Sequence, residues 1–242
     1  YMEHGELRDV RKPRDGPKKP YVLASNDFGQ NWTWTAFPDF LKSVTVIQTD
    51  PTDSKTLYAV APNCLSTSSD KGQSWTPCSK ATGLEGSFVD LCIKDSKTMI
   101  MLRSGAVPLR TRDSGQSWTP LSAAAKLFAP PAHPIVSGSY SWSGKTLVLH
   151  GKDMGAPNRG EYAGFVWRTK DDGDTFVDET GDLVTMAVNQ GSWFGEDFYL
   201  TTSGEGILRK SGLDSLKTDD SVASSAPGRV CGNEGGASST VC

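Results

Sequence analysis

The octapeptide "SSDKGQSW" (68–75) recurs in three related forms along this chain of 242 residues. The other segments are "SNDFGQNW" (25–32), "TRDSGQSW" (111–118) and "TKDDGDTF" (169–176). All four follow the pattern Ser/Thr-x-Asp-x-Gly-x-x-Trp/Phe. Their aspartates are 43, 43 and 58 residues apart, and repeats of 20–50 residues are typical of solenoids, propellers and arrays. The third interval equals one repeat plus an insertion of about 15 residues.

Between the octapeptides, each repeat contains the same series of short apolar and β-branched runs. In the first repeat they are "VTVIQTDP", "KTLYAVAP", "CLSTSSD" and "SWTPCS". Such runs, separated by turn residues, predict four strands per repeat, and no helical period is evident. The sequence therefore predicts an all-β fold, a β-propeller of four-stranded antiparallel blades with the octapeptide between the third and fourth strands.

The blade count and the two ends of the chain set the predicted domain organisation. Residues 20–35 supply only the last two strands of a blade, so we expect about five blades or part of a larger propeller. In the second case another segment or chain would supply the remaining blades. Residues 1–19 are interpreted as a basic Pro/Gly-rich arm, 20–216 as blades, and 217–242 as a flexible Ser/Gly-rich tail.

The octapeptide, placed between the third and fourth strands, resembles the Asp-box (BNR) repeat. That repeat occurs in sialidases, some glucanases, sortilin-type (VPS10) receptors and photosystem assembly factors. The resemblance covers about residues 20–216. It implies the propeller fold far more specifically than it implies any one of these functions.

Each position of the octapeptide has a physical role in a tight turn. A turn aspartate can accept backbone N–H groups, glycine tolerates positive φ, the aromatic ring can be buried, and the hydroxyl joins the same network. The residues concerned are Ser25, Asp27, Gly29, Trp32, Ser68, Asp70, Gly72, Trp75, Thr111, Asp113, Gly115, Trp118, Thr169, Asp171, Gly173 and Phe176. We interpret them as structural. Calcium binds six or more oxygen ligands, whereas each octapeptide offers only one strong ligand, the aspartate carboxylate. We therefore predict no metal site. We also predict no cofactor.

The long loops on the side away from the boxes are the predicted binding surface. Shorter loops are expected there at 36–42, 61–64, 79–87, 104–107 and 178–183, and the two prominent ones are 122–134 and the insertion 150–163. Long connections are where binding residues are often found. The candidate ligand-binding residues are Lys126, His133, Lys152, Asp153, Arg159, Glu161 and Tyr162.

The cysteines and one sequon indicate a secreted or lumenal glycoprotein. Cys64 and Cys78 flank a repeat and could meet across neighbouring strands, and Cys231 could pair with Cys242. Cys92 would then be unpaired and buried. The five cysteines lack metal-ligand spacing. Asn31 begins the sequon "NWT".

Charge and hydropathy exclude two kinds of partner. The formal net charge is −3 without a basic stripe, which argues against nucleic acid. No apolar run approaches the roughly 18 residues of a membrane span.

Three functions remain open at this point. The first is a secreted, non-catalytic recognition propeller that binds a protein or glycan through the face opposite the boxes. The second is a sialidase-like glycoside hydrolase, the enzyme class expected if the protein is an enzyme at all. The Arg-Ile-Pro stretch that sialidases carry is absent from this sequence. The only close group of residues with the side chains that a sialidase uses is Arg159, Glu161 and Tyr162. The third is an organellar assembly-factor propeller. No Gly-x-Ser-x-Gly nucleophile motif is present.

Overall fold

The strands of this computed structural model form antiparallel sheets that repeat along the chain. The structure describes residues 2–3, 6–7, 20–78, 81–128, 134–153, 163–181, 183, 188–203, 206–217 and 228–230. A hairpin of β1 (Met2–Glu3) and β2 (Glu6–Leu7) precedes the repeated sheets. The sheets that follow are called blades 1 to 5.

The blades share one strand order, in which each strand pairs with the next along the chain. Blade 1 contains β3 (Tyr21–Ala24) and β4 (Thr33–Ala36), and blade 2 contains β5 (Val46–Thr49), β6 (Leu57–Ala61) and β7 (Cys64–Ser68). Blade 3 contains β8 (Phe88–Ile93), β9 (Met99–Arg103), β10 (Ala106–Thr111) and β11 (Thr119–Pro120). Blade 4 contains β12 (Pro134–Tyr140), β13 (Leu147–Asp153), β14 (Ala163–Thr169) and β15 (Val177–Asp178). Blade 5 contains β16 (Val188–Phe194), β17 (Asp197–Thr202), β18 (Ile207–Lys210) and β19 (Gly228–Val230).

The hydrophobic core lies between blades, because alternate side chains of a strand point to opposite faces of its sheet. In β9, Met99 and Met101 pack toward blade 2, whereas Ile100 and Leu102 pack toward blade 4. All four side chains are fully buried. The same alternation separates Leu147 from its neighbour Val148 in β13. Face-to-face packing of successive antiparallel sheets, four-stranded in blades 3 to 5, is the architecture of a β-propeller, as the repeat predicted.

A buried ion pair within blade 4 is hydrogen-bonded to blade 5. Arg168 donates to Glu179 over 2.9 Å, and each side chain is only 1% exposed. Arg168 also donates to the carbonyl of Lys217, while Lys210 from β18 donates to the carbonyl of Glu179. Because each charge is matched by a partner, these groups can be buried where the blades meet.

Blade 1 is less covered than the others. Its sheet has two strands in the described part of the chain, and Leu23, Trp32, Trp34 and Phe40 are each between 42% and 58% exposed. The corresponding tryptophan of blade 3, Trp118, is 4% exposed. The difference follows from packing, since Trp118 lies in the core between blades 2 and 3.

The structure corrects three details expected from the sequence. Residues Ser122–Phe128, in the predicted loop 122–134, form a 3-10 helix. His150 to Asp153, the start of the predicted loop 150–163, belong to β13. Gly228–Val230, inside the predicted flexible tail, pair with β18 as the fourth strand of blade 5.

Two of the cysteine predictions fall within the described residues. Cys64, at the start of β7, forms a disulfide with Cys78, which confirms that pairing. Cys92 is a free thiol buried in β8, and burial raises its pKa. Cys231 and Cys242 lie outside the described residues, so their pairing stays a prediction.

Gly115 is a position where a side chain is expected to be tolerated poorly. Its φ is +82°, and an added Cβ would lie 2.9 Å from a methyl carbon of Leu65 in blade 2. Gly105 has φ +62° but nothing within 4 Å of such a Cβ. We therefore expect Gly115→Ala to lower the free energy of unfolding by about 1–3 kcal/mol, more than Gly105→Ala does. Urea unfolding monitored by circular dichroism measures both; equal losses would show that contact with blade 2 is unimportant.

The disulfide is expected to contribute to stability by restricting the unfolded chain. It closes a loop with a sequence separation of 14 residues, for which about 2–3 kcal/mol is expected. The double variant Cys64→Ser/Cys78→Ser should lose that amount in urea unfolding, whereas Cys92→Ala, which breaks no bond, reports only the packing cost of one buried thiol. Identical stability of wild type with and without reductant would contradict this role.

Candidate functional site

The four octapeptides form tight turns, here called box turns, at one end of the blades. In the turn 68–75, Oδ1 of Asp70 accepts the backbone N–H of Ser74 at 2.8 Å and the hydroxyl of Ser68 at 2.8 Å. The Ser68 hydroxyl accepts the backbone N–H of Gly72, and the indole of Trp75 donates to the Gly72 carbonyl. These polar groups thus form hydrogen bonds with one another within the turn.

The residue before the aromatic ring is a further member of the turn, and the sequence pattern did not single it out. The Ser74 hydroxyl donates to Oδ2 of Asp70 at 2.5 Å. Equivalent donors occur in the other three turns: Asn31, Ser117 and Thr175. The signal was present in the sequence, because every octapeptide carries a hydroxyl or amide at this position.

The predicted glycosylation site coincides with this structural position. The Asn31 side-chain amide, the atom to which a glycan would attach, donates to Asp27 at 2.6 Å. Glycosylation of Asn31 stays a prediction. The nitrogen that would carry the glycan is the same atom that donates a hydrogen bond to Asp27.

Two consecutive residues in every box turn adopt positive φ. In the turn 68–75 these are Lys71 at +59° and Gly72 at +86°. The same pair of values recurs at Phe28–Gly29, Ser114–Gly115 and Asp172–Gly173. Glycine meets this requirement without strain at the second position, which explains why it alone occurs there.

Hydrogen bonds to Asp70 stabilise its charged form. The side chain of Ser74, then its backbone N–H, then the hydroxyl of Ser68 lower the pKa of this carboxyl to about 2. The corresponding bonds from Ser117 and Thr111 lower the pKa of Asp113 to about 2. These carboxylates stay ionised, and their oxygens accept hydrogen bonds from residues of their own turns. They are therefore poorly suited to proton transfer near neutral pH.

The box turn of blade 4 also contacts blade 3. Asp172 accepts the ammonium of Lys94, from blade 3, at 2.9 Å and the hydroxyl of Tyr140, from its own blade, at 3.1 Å. Asp174 accepts Arg110 at 2.6 Å and Arg112 at 2.7 Å. The charges at this end are therefore used largely to hold neighbouring blades together.

The opposite end, formed by turns between second and third strands and by blade connections, contains an open cleft of about 410 Å³. Its lining includes Asn63, from the predicted loop 61–64, and Ala81, Leu84 and Glu85, from the predicted loop 79–87. The structure thus brings together two of the loops expected to form the binding surface. Leu84 is buried and supplies an apolar floor, while Glu85 is exposed.

Of the candidate ligand-binding residues, two have described side chains. Lys126 is exposed on the 3-10 helix, and Lys152 is half-buried in β13, paired in register with Ile135 and Gly164. Asp153 is placed as the last residue of β13, with nothing described for its side chain. Four candidates lie outside the described residues: His133, Arg159, Glu161 and Tyr162.

Asp90, which sequence reasoning did not single out, links the first strands of three blades. It accepts Gln48 of β5 at 3.3 Å, Ser137 of β12 at 2.8 Å and the backbone N–H of Leu91 at 2.8 Å. Because its oxygens already have these donors, we interpret Asp90 as a link between blades.

His150 is buried in β13 and does not face a ligand surface. Its side chain packs beside Phe198 and over Gly191, where a Cβ would come within 2.7 Å of the ring. Burial lowers the pKa of His150 to about 4, so the imidazole is neutral at pH 7. Within the described residues its Nδ1 has no hydrogen-bond partner.

The described residues contain neither a metal-binding cluster nor a membrane-spanning helix. In the part of the chain that the structure describes, no three His, Cys, Asp or Glu side chains are grouped to hold a metal ion. The described helical segment is also too short to cross a bilayer.

The lowered pKa values predict acid sensitivity of the fold. Because the pKa of Asp70 is about 2 in the folded protein and 3.8 for an ordinary aspartate, its contribution to stability is complete above about pH 4 and is lost as the pH falls toward 2. We expect the melting temperature to fall across this window. Asp70→Asn should melt lower at pH 7 and show a shallower fall below pH 4.

The measurement is thermal unfolding by circular dichroism between pH 7 and pH 2. Glu85→Gln, which removes an exposed carboxylate outside the box turns, serves as the control and should keep the wild-type acid profile. An Asp70→Asn variant with the wild-type acid profile would contradict the assigned role.

Comparison with known proteins identifies the fold and not a family. No family model matches the sequence, and no curated protein matches it. Among solved structures, YCF48 bound to D1 peptide is 15% identical, with a TM-score of 0.53, over 80% of this chain and 60% of that chain. A GH74 xyloglucanase from Xanthomonas campestris is 13% identical, with a TM-score of 0.53, over 84% of this chain and 34% of that chain.

These values concern architecture. At such low identity a structural likeness shows the fold alone. The chain spans less than two thirds of the length of either structure. Its own sheets and these two likenesses together show a β-propeller.

Proposed function

We propose that this protein is a secreted, non-catalytic recognition propeller that binds a protein or glycan through the end opposite the box turns. The observation that carries the proposal is the division of chemistry between the two ends. The box carboxylates accept hydrogen bonds from their own turns. The opposite end has an open cleft bounded by Asn63 and Glu85.

The cleft has the mixed lining expected of a recognition site. Leu84 and Ala81 offer apolar surface, and Asn63 and Glu85 offer hydrogen-bonding groups. Binding sites commonly combine apolar walls with a few polar groups that fix orientation. Lys126 and the end of β13 at Asp153 lie at the same end by strand direction, so they would extend the surface around the cleft.

A protein ligand has one supporting likeness. The YCF48 structure is bound to D1 peptide, which illustrates that a protein with a similar fold can bind a peptide. The xyloglucanase likeness keeps a glycan ligand and the glycoside hydrolase alternative in consideration. For hydrolysis, two carboxyl groups would have to flank a glycosidic bond, and Asp153 and Glu161 are the candidates in the insertion.

Secretion is supported by the Cys64–Cys78 disulfide. Disulfides persist in oxidising compartments and are rare in reducing ones. A thiol titration of denatured protein tests the compartment, because five free thiols would argue for a reducing one.

The binding proposal is tested by screening purified protein on peptide and glycan arrays. For at least one ligand found, we expect the charge reversals Glu85→Lys and Lys126→Glu to weaken binding at least about tenfold. Lys71→Glu, an exposed charge in a box turn, is the matched control and should bind as wild type. If Lys71→Glu weakens binding and the other two variants do not, recognition lies at the box-turn end and the proposal is wrong.

A second assay separates a binder from an enzyme. The wild-type protein is incubated with sialosides and neutral oligosaccharides, and product release is followed. We expect no turnover. Hydrolysis that is abolished by Glu161→Gln would contradict the non-catalytic proposal and establish the hydrolase alternative.

A further inference from the structure

An exposed pair of aromatic rings at the box end has no role in the fold described so far. Trp142 is 73% exposed and Phe194 is 69% exposed. Their ring centroids are 6.0 Å apart, and the ring planes meet at 70°. Tyr199 extends the group, with its centroid 6.5 Å from that of Phe194. Large apolar side chains grouped on a surface commonly mark a contact site.

Strand direction places this pair away from the cleft of the proposed binding surface. Trp142 lies in the turn between β12 and β13, and Phe194 is the last residue of β16. Turns between first and second strands share an end with turns between third and fourth strands, because the first and third strands run in the same direction. The pair therefore lies at the box end, between blades 4 and 5.

Hydrogen bonds support both turns that carry the rings, and one of these bonds runs between blades 4 and 5. The Ser143 hydroxyl donates to Asp214 of blade 5 at 2.7 Å, and the backbone N–H of Gly144 donates to Ser141 at 2.9 Å. After the turn that follows Phe194, the Asp197 carboxylate accepts the backbone N–H of Gly212 at 2.7 Å. Both rings therefore lie on hydrogen-bonded turns, so a ligand that binds them need not order a flexible loop, and the entropy cost of binding is small.

Size and charge decide the class of ligand. Two exposed rings are far smaller than the about 800 Å² that each partner contributes to a standard protein interface. The exposed polar residues of the two turns are Ser143, Lys145 and Glu196, one hydroxyl, one cation and one anion. The charged residues bonded to these turns or to each other beside them also balance, as two anions and two cations: Asp197, Asp214, Lys170 and Arg209. Such a rim offers donors and acceptors without net charge, which matches an uncharged ligand rich in hydroxyl groups.

We infer that Trp142 and Phe194 form a binding platform for a neutral polysaccharide. The apolar C–H face of a pyranose ring would stack on the indole, and its hydroxyl groups would bond to Ser143, Lys145 and Glu196. The platform is open on its sides, since both rings are more than two thirds exposed. It therefore accepts internal units of a long chain and does not require a chain end.

Affinity electrophoresis tests this platform with defined probes. The purified protein is run through native gels containing galactomannan, mixed-linkage β-glucan or the anionic polygalacturonate. We expect retardation by at least one neutral polysaccharide, with a Kd that rises at least about tenfold in Trp142→Ala and in Phe194→Ala. Unchanged melting temperatures establish that the variants are folded.

Two control variants make the result specific. Phe28→Ala removes a fully exposed aromatic ring from a box turn of blade 1 and should leave retardation unchanged. Lys126→Glu, at the opposite end, should also leave it unchanged, so failure of the proposed function and failure of this platform are distinguishable. No retardation by either neutral polysaccharide, retardation by polygalacturonate alone, or equal retardation of Trp142→Ala and wild type would each overturn the inference.

Discussion

The hydrogen bonds from each box turn to its own aspartate are the constraint on which the rest of the structure depends. In the turn 68–75, Asp70 accepts the amide and hydroxyl of Ser74 and the hydroxyl of Ser68. With the carboxylate in place, the chain can reverse within a few residues and bring the third strand beside the start of the fourth. The aromatic ring that follows is then held above the turn glycine.

The repeated turns also position neighbouring blades. The Gly115 turn contacts Leu65 of blade 2, and the Gly173 turn contacts Leu121 of blade 3. In blade 4 the same turn supplies Asp172 and Asp174 to cations of blade 3. A local motif is thereby converted into an interface between sheets, so one repeated sequence determines both blade shape and blade packing. The ends of the molecule consequently differ: one is held by these contacts, and the other carries the open cleft.

Much of the fold was predictable because it depends on local and periodic signals. The spacing of Asp27, Asp70 and Asp113 indicated the repeat, and the position of Cys64 and Cys78 around one repeat indicated their disulfide. The 3-10 helix at Ser122–Phe128 and the extension of β13 through His150 were not predicted, since they depend on packing against neighbouring blades. Within the predicted site, the cleft brings together the loops that contain Asn63 and Glu85. The link made by Asp90 arises between residues 42 and 47 positions apart in sequence, and no local pattern reports such a contact.

The most direct test of the central claim is hydrogen exchange of the Ser74 amide, measured by nuclear magnetic resonance. The amide of Ile100, which is buried in β9, serves as a reference for global stability. In Asp70→Ala, Ser74 should lose its protection relative to Ile100, while Ser117, whose amide donates to Asp113, keeps its own. Unchanged protection of Ser74 in Asp70→Ala would contradict the claim that the carboxylate holds the turn.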